Sequence, residues 1–346
     1  MALDKARAYA PCQPRGFGVR SPVLALFPDA VLSVLLVTSP FFALVLCGFV
    51  ATRRGILPLS AISGLNSFVL YFALPCMLYR FGARTPIAQL LDPAAAGAYL
   101  AAGLVLVASV VTLTRRRQGW NDAAFGALVT VFPNTGFMGV PLLVALLGAQ
   151  AAGPAILCIA IDMVLTSSLC IALSRLDLPG GAGVALRNAL RGVAANPMPW
   201  AMALGALASW AQWTLPAPVE QTLAMLADAA SPVALFTIGA VLARSQMNAS
   251  ERVPPRDYVP LALAKLLAHP LLVWLSGRSA MALGVPLSES ALVVLVLVAA
   301  LPSASNVALL TERFGAHGGR VARIILVSTA LAFLTFSGAV ALIAGG

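Results

Sequence analysis

Five small polar residues sit beside two prolines deep in apolar sequence. Asn134, Thr135 and the flexible Gly136 follow Pro133, while Ser303, Ser305 and Asn306 follow Pro302. Such side chains donate and accept hydrogen bonds without carrying charge, which suits binding and releasing a polar solute. Three ionisable residues lie in comparable surroundings. Asp162 stands within Leu157-Cys158-Ile159-Ala160-Ile161-Asp162-Met163-Val164, and its side chain is too short to reach water from there. Lys265 and His269 are one helical turn apart, with Pro270 next. An ionisable group in a long apolar run is expensive, so it is functional by default or it is paired.

Several readings stay open for these charges. Lys265 is eight residues past Asp257, roughly 12 Å along a helix, so its long side chain can reach an aqueous interface. It can also hold its ammonium in a polar cavity and select an anion, or pair with Asp162. His269 can relay protons or serve as a hydrogen-bonded structural residue. Asp228 and Glu289 fall near the ends of apolar runs and read as interfacial.

Catalytic and metal-binding signatures are missing from the sequence. It holds no HExxH, GxSxG or paired-aspartate motif. Of the five cysteines, Cys47, Cys76, Cys158 and Cys170 lie inside apolar runs, without CxxC or zinc-ligand spacing. They read as small hydrophobes. The expectation is a protein that is not an enzyme and uses no metal and no cofactor.

The elements that position these residues must lie in a lipid bilayer. Hydrophobic residues make up 60% of the 346 positions and charged residues 10%, against roughly 25% charged in soluble domains. The mean hydropathy is +0.93. The apolar runs reach the roughly 20 residues that a spanning helix needs, and they lack the alternation of a barrel strand. The predicted fold class is an all-α membrane protein with ten transmembrane helices. They fall at about 32–51, 63–80, 94–114, 122–148 and 153–174, then 197–213, 226–243, 258–276, 289–311 and 321–343. The expected location is the cell inner membrane, crossed many times.

The net charge of +10 does not indicate nucleic acid, because the basic residues lie between spans and form no patch with aromatics. Loops after the odd-numbered spans hold 14 of the 22 basic residues, including Arg53, Arg115 and Arg313. The opposite loops hold three: Arg80, Arg84 and Arg278. The positive-inside rule makes the first group cytoplasmic and puts both termini outside. Residues 1–30, with Lys5, Arg7, Arg15 and Arg20 and no apolar core of a signal peptide, are expected to be a disordered or spurious extension. Residues 31–346 are expected to form one transmembrane domain.

Both proline breaks fall about 12 residues into their spans, roughly 18 Å deep and near the midplane. Proline removes a backbone donor and clashes with the carbonyl four residues back. In lipid the freed groups need polar surroundings, although a plain proline kink is the simpler alternative. The two amide ends and two carbonyl ends created there roughly cancel as dipoles, so they do not set the sign of a ligand. The halves also share landmarks. Pro40, Gly48 and Pro75 recur as Pro197, Gly205 and Pro232 at an offset of 157, and Pro133 recurs as Pro302 at 169. Five spans per half force the second copy to be inverted, with repeats at about 31–175 and 196–344. Interrupted helices at corresponding places in such repeats point to a carrier's substrate site.

The motifs resemble those of the auxin efflux carrier family, whose bacterial members include malonate and malate permeases. The resemblance rests on Phe-Pro-Asn-Thr-Gly-Phe-Met-Gly-Val-Pro at 132–141 and Leu-Pro-Ser-Ala-Ser-Asn at 301–306. Gly-Phe-Val-Ala-Thr-Arg-Arg-Gly at 48–55, Ala-Leu-Pro at 73–75, and Lys265 with Pro270 add to it. It covers roughly residues 36–343. It implies two inverted five-helix repeats, a crossover of helices 4 and 9 marked by Pro133, Asn134, Pro302 and Asn306, and carboxylate substrates. The long hydrophilic central loop of the plant carriers is absent, since 175–196 spans only about 20 residues. That favours a bacterial organic-anion transporter over a carrier of indole-3-acetate.

The expected function is secondary transport of a small carboxylate by alternating access, with a proton or sodium as coupling ion. The partners are the substrate and the lipid bilayer, with a homodimer as one possible assembly and no nucleic acid. A sodium-coupled symporter of the bile-acid type is the alternative. An enzyme using Asp162 and His269, or a receptor binding the same ligand, finds no motif or output domain in support.

Overall fold

The computed structural model describes residues 27–85, 92–177, 197–247 and 253–344, with a few positions between 183 and 194. Residues 1–26 of the expected extension and most of the 175–196 loop lie outside the described residues.

The described chain is helical throughout, as its apolar runs require where lipid offers the backbone no partners. The helices are α1 (Phe27–Arg53), α2 (Ala61–Arg84), α3 (93–118), α4 (120–131), α5 (Thr135–Leu147) and α6 (Ala149–Leu173). They continue as α7 (Pro197–Trp210), α8 (Ala217–Met247), α9 (Val259–Ala282), α10 (Glu289–Ala300), α11 (Asn306–Arg313) and α12 (Gly318–Ala344). Among the described residues, α2, α3 with α4, α6, α8, α9 and α12 are long and apolar enough to cross a membrane. Part of α1, and all of α5 and α10, are shorter apolar helices.

Local chemistry sets the boundaries. Asp92 caps α3, its Oδ1 accepting from the amides of Ala94 at 2.9 Å and Ala95 at 3.0 Å, with Pro93 at the first helical position. Gly119 turns the chain between α3 and α4 at φ 77°, a conformation that favours glycine. Prolines leave a different mark. Val69–Ala73, Thr135–Gly139 and Ala264–Ala268 widen into π-helical turns, and each is followed two residues later by Pro75, Pro141 or Pro270. The wider turn moves the carbonyl that the proline ring would strike. A fourth π turn, Ile161–Thr166, holds Asp162. No proline follows it; the Ser167 hydroxyl donates to the Asp162 carbonyl instead, at 2.8 Å.

The helices pack as two layers. In one, α1 lies along α8, and α2 lies along α7 and α8. Backbones touch at two places. A Cβ on Gly48 would overlap the Phe236 carbonyl, and one on Gly239 the Val45 carbonyl. Gly82 and Gly205 make the equivalent approach between α2 and α7. The other layer holds α3, α6, α9 and α12 around α4 and α10. Every residue of α4 from Ala123 to Val131 is buried, and so is nearly all of α10. Helices apolar on every side belong in the centre, and these two carry the chain into the proline breaks.

Candidate functional site at the helix crossing

Both central helices stop short of spanning. Phe132 leaves α4 in extended conformation, as Leu301 leaves α10. The two extended stretches run antiparallel, with Pro133 opposite Ser303. The Asn134 amide donates to the Pro302 carbonyl at 2.8 Å, and the Ala304 amide to the Phe132 carbonyl at 3.0 Å. Pro133 occupies the one ladder position whose amide the pairing does not use, so its missing donor costs nothing there. The Ser303 amide opposite it donates out of the pair, to Ser328 Oγ of α12 at 3.2 Å.

Three buried polar atoms at this crossing lack any partner among the described residues: Thr135 Oγ1, Ser303 Oγ and Asn306 Oδ1. Most buried polar groups in proteins are satisfied, so three orphans near one point leave hydrogen-bonding capacity that water or a solute can use. Beside them lies a cavity of about 30 Å³ lined by Phe132, Pro133, Asn134, Gly136 and Asn306, and by Leu74 and Leu78 of the other layer. That volume accommodates water; small-molecule sites occupy roughly 300–1,000 Å³. The crossing therefore leaves little free space, and of the three residues with orphan atoms Asn306 lines it. Pro302, Ser303 and Ser305 belong to the crossing strand, although they do not line this cavity.

The ionisable residues lie behind the crossing. Asp162 is fully buried, its Oδ2 accepting from the Tyr99 hydroxyl at 2.8 Å and its Oδ1 from Thr166 at 3.3 Å. Lys265, also fully buried, does not reach an interface. Its ammonium lies 2.8 Å from His269 Nδ1 and 2.8 Å from the Ala299 carbonyl. That carbonyl is among the last four of α10, which have no partner within the helix. No ion pair within 4.0 Å joins Asp162 to Lys265 among the described residues. Tyr99 links the two groups, its hydroxyl on Asp162 and its ring 5.8 Å from that of His269. With Nδ1 accepting from the ammonium, His269 carries its proton on Nε2, which has no partner among the described residues. Thus α3, α6 and α9 bring Asp162, Tyr99, His269 and Lys265 into one polar cluster.

Lys265 changes the balance of dipoles at the crossing. In its protonated form Lys265 offsets one of the two negative helix ends, that of α10, while the amide ends of α5 and α11 keep their partial positive charge. Sequence reasoning missed Tyr99, Thr166 and Ser231, which donates to the Phe137 carbonyl from α8 at 3.2 Å. Tyr99 is only six residues into α3, so by position it reads as an interfacial aromatic. No feature of the sequence distinguishes Thr166 or Ser231 from other hydroxyls in apolar helices.

Known proteins resemble this chain over most of its length. A family described as membrane transport protein matches residues 34–176 and 184–340. The chain is 29% identical over 317 residues to a protein of Rhizobium meliloti (strain 1021) named "Putative malonate transporter", covering 89% of this chain and 95% of that one. It is 25% identical over 292 residues to "Uncharacterized transporter YfdV" of Escherichia coli (strain K12), covering 80% and 87%.

Proposed function

The chain belongs to the membrane transport protein family, that of the auxin efflux carriers, and on that premise we propose that it is a secondary active transporter of small organic anions such as malonate or malate. Transport proceeds by alternating access around the crossing of α4–α5 with α10–α11, in the bacterial inner membrane. The observation that carries this reading is the set of unpartnered buried atoms on Thr135, Ser303 and Asn306, gathered where two broken helices meet. Asn134 and Asn306, which line the small cavity there, are the amides assigned to the substrate.

We read the architecture as ten spans in two inverted repeats, within one transporter domain covering about 31–346. The close glycine contacts support this. Gly48 lies against Phe236 and Gly239 against Val45 where α1 meets α8, and adding or subtracting the offset of 157 gives Gly205 and Gly82, which touch across α7 and α2. A twofold axis in the membrane plane produces paired contacts of that kind. The cavity lies between the two layers, so sliding one layer past the other would open it first to one side and then to the other.

Anion preference follows from Lys265 on the carbonyl end of α10. We assign the proton as coupling ion. With Asp162 protonated and Lys265 charged, the cluster carries one net positive charge, which favours an anion; with Asp162 ionised, the two charges cancel. A proton and an anion would then travel together. Uptake of radiolabelled malonate and malate into proteoliposomes tests the reading. Saturable uptake driven by an inward proton gradient is expected, and the double variant Asn134→Ala/Asn306→Ala should abolish it. No saturable flux of any small carboxylate, or wild-type flux in the double variant, would sink it. Flux that follows a sodium gradient would move the assignment to a sodium symporter.

A further inference from the structure

A second cavity lies directly outside the crossing. It holds about 360 Å³ between α2, α8 and the middle of α5, lined by residues including Met77, Arg80, Arg84, Pro141, Asp228 and Ser231. The two cavities share a wall. Ser231 lines the larger, and its hydroxyl holds the carbonyl of Phe137, which lines the smaller. Only the larger has the volume of a small-molecule site.

Arg80 is held in an unusual way. Its Nη1 donates to Asp228 Oδ1 at 2.8 Å and to the Ala224 carbonyl at 3.4 Å. Its Nε is buried and has no partner, and its Nη2 makes no hydrogen bond among the described residues. One corner of the guanidinium is therefore anchored, while the Nε–Nη2 edge is left over. That edge has the spacing that meets both oxygens of a carboxylate once the side chains covering Nε move aside, and anchoring has already removed much of the arginine's rotational freedom. Asp228 is a weak competitor, because its side chain is 76% exposed and hydrated. Arg84, one turn further out, pairs with Glu220 at 3.4 Å with both side chains more than half exposed. It adds a second cation at the mouth.

We propose that Arg80 is a carboxylate-binding residue and that this outer cavity is an entry site, where a small organic anion docks before it reaches the crossing. The proposal rests on the transport reading and adds a second station to it. The Arg80–Asp228 pair joins α2 to α8, two helices of one layer, so the site stays intact while the layers move against each other.

Two variants with opposite expected signs test it. Malonate uptake is measured as a function of external concentration in vesicles with the outer face of the chain exposed. Arg80→Lys keeps a cation that can pair with Asp228 but loses the two-pronged edge. It should raise the half-saturating concentration about tenfold and leave the maximal rate nearly unchanged. Asp228→Asn removes the competing carboxylate and should lower that concentration about threefold. An ion pair that merely ties α2 to α8 moves both variants in the same direction, so a rise in both, or a change in neither, overturns the proposal. If Arg80→Lys is not recovered folded, Asp228→Asn decides alone, and an unchanged or raised value counts against it. Calorimetric titration of malonate into the purified chain separates the two readings. Binding that Arg80→Lys weakens, in a wild type without flux, sinks transport and leaves the site standing. Neither binding nor flux overturns both.

Discussion

At the scale of single residues, Lys265 is the side chain whose surroundings the sequence left most open. Three placements were compatible with its position, and the fold uses its ammonium to satisfy both the Ala299 carbonyl and His269 Nδ1. Lys265→Met orphans both buried groups at once. At about 1–3 kcal/mol each, it should lower the melting temperature of the purified protein in detergent by several degrees, besides stopping transport. Asp162→Asn is the gentler change, because an amide of the same shape can accept from one of the two hydroxyls, Tyr99 or Thr166, through its oxygen and donate to the other through its nitrogen. The variant should fold normally, and its malonate flux should no longer respond to a proton gradient. The other titratable groups around Asp162 are Tyr99, Cys158, Cys170, Lys265 and His269. A gradient response that survives Asp162→Asn therefore assigns the proton to one of those. The polar residues beside the two prolines were legible because polarity in a long apolar run stands out. Tyr99 was not, because its partner is 63 positions away in the chain.

Among the elements, the close-packed glycines separate helices that must touch from helices that need not. A side chain at Gly239 would overlap the backbone of α1, so Gly239→Ala forces α1 and α8 apart. Overpacking of this kind costs about 1–3 kcal/mol, and thermal unfolding should show the loss. Gly97, exposed on α3, has open space around it. Gly97→Ala should stabilise by about 0.5–1 kcal/mol through helix propensity. Equal effects at the two positions would mean that the layer of α1, α2, α7 and α8 does not rely on backbone contact. The repeat of Pro40, Gly48 and Pro75 at an offset of 157 was visible in the sequence. The partners Gly82 and Gly239 were not, since one glycine among 28 gains meaning only when another backbone lies against it.

For the molecule as a whole, the distribution of arginines predicts which way the protein faces. Arg116 lies on the basic side with Arg115 and Arg117, and Gln150 on the side of Arg80 and Arg84. A membrane-impermeant thiol reagent should therefore label Gln150→Cys in intact cells, and Arg116→Cys only after permeabilisation. The reverse pattern would invert the orientation and turn the outer cavity into an inner one. On the basic side the ends of the central helices are tied together. Asp122 accepts from the His317 amide at 2.7 Å, Asn121 donates to the Phe314 and Gly315 carbonyls at 3.2 Å, and Arg320 reaches Gln118 and the Asp122 carbonyl.

Composition and order along the chain determined, without coordinates, that this is a helical membrane protein broken at Pro133 and Pro302. Those properties follow from local physics: transfer of apolar residues into lipid, the missing amide of proline, and the side on which arginines accumulate. The tertiary structure decided what the breaks pack against. Pairing Pro133 with Ser303, resting Lys265 on the end of α10, facing Tyr99 to Asp162 and freeing one edge of Arg80 all depend on residues far apart in sequence. Their chemistry comes from contact geometry, and hydropathy along the chain carries no record of it.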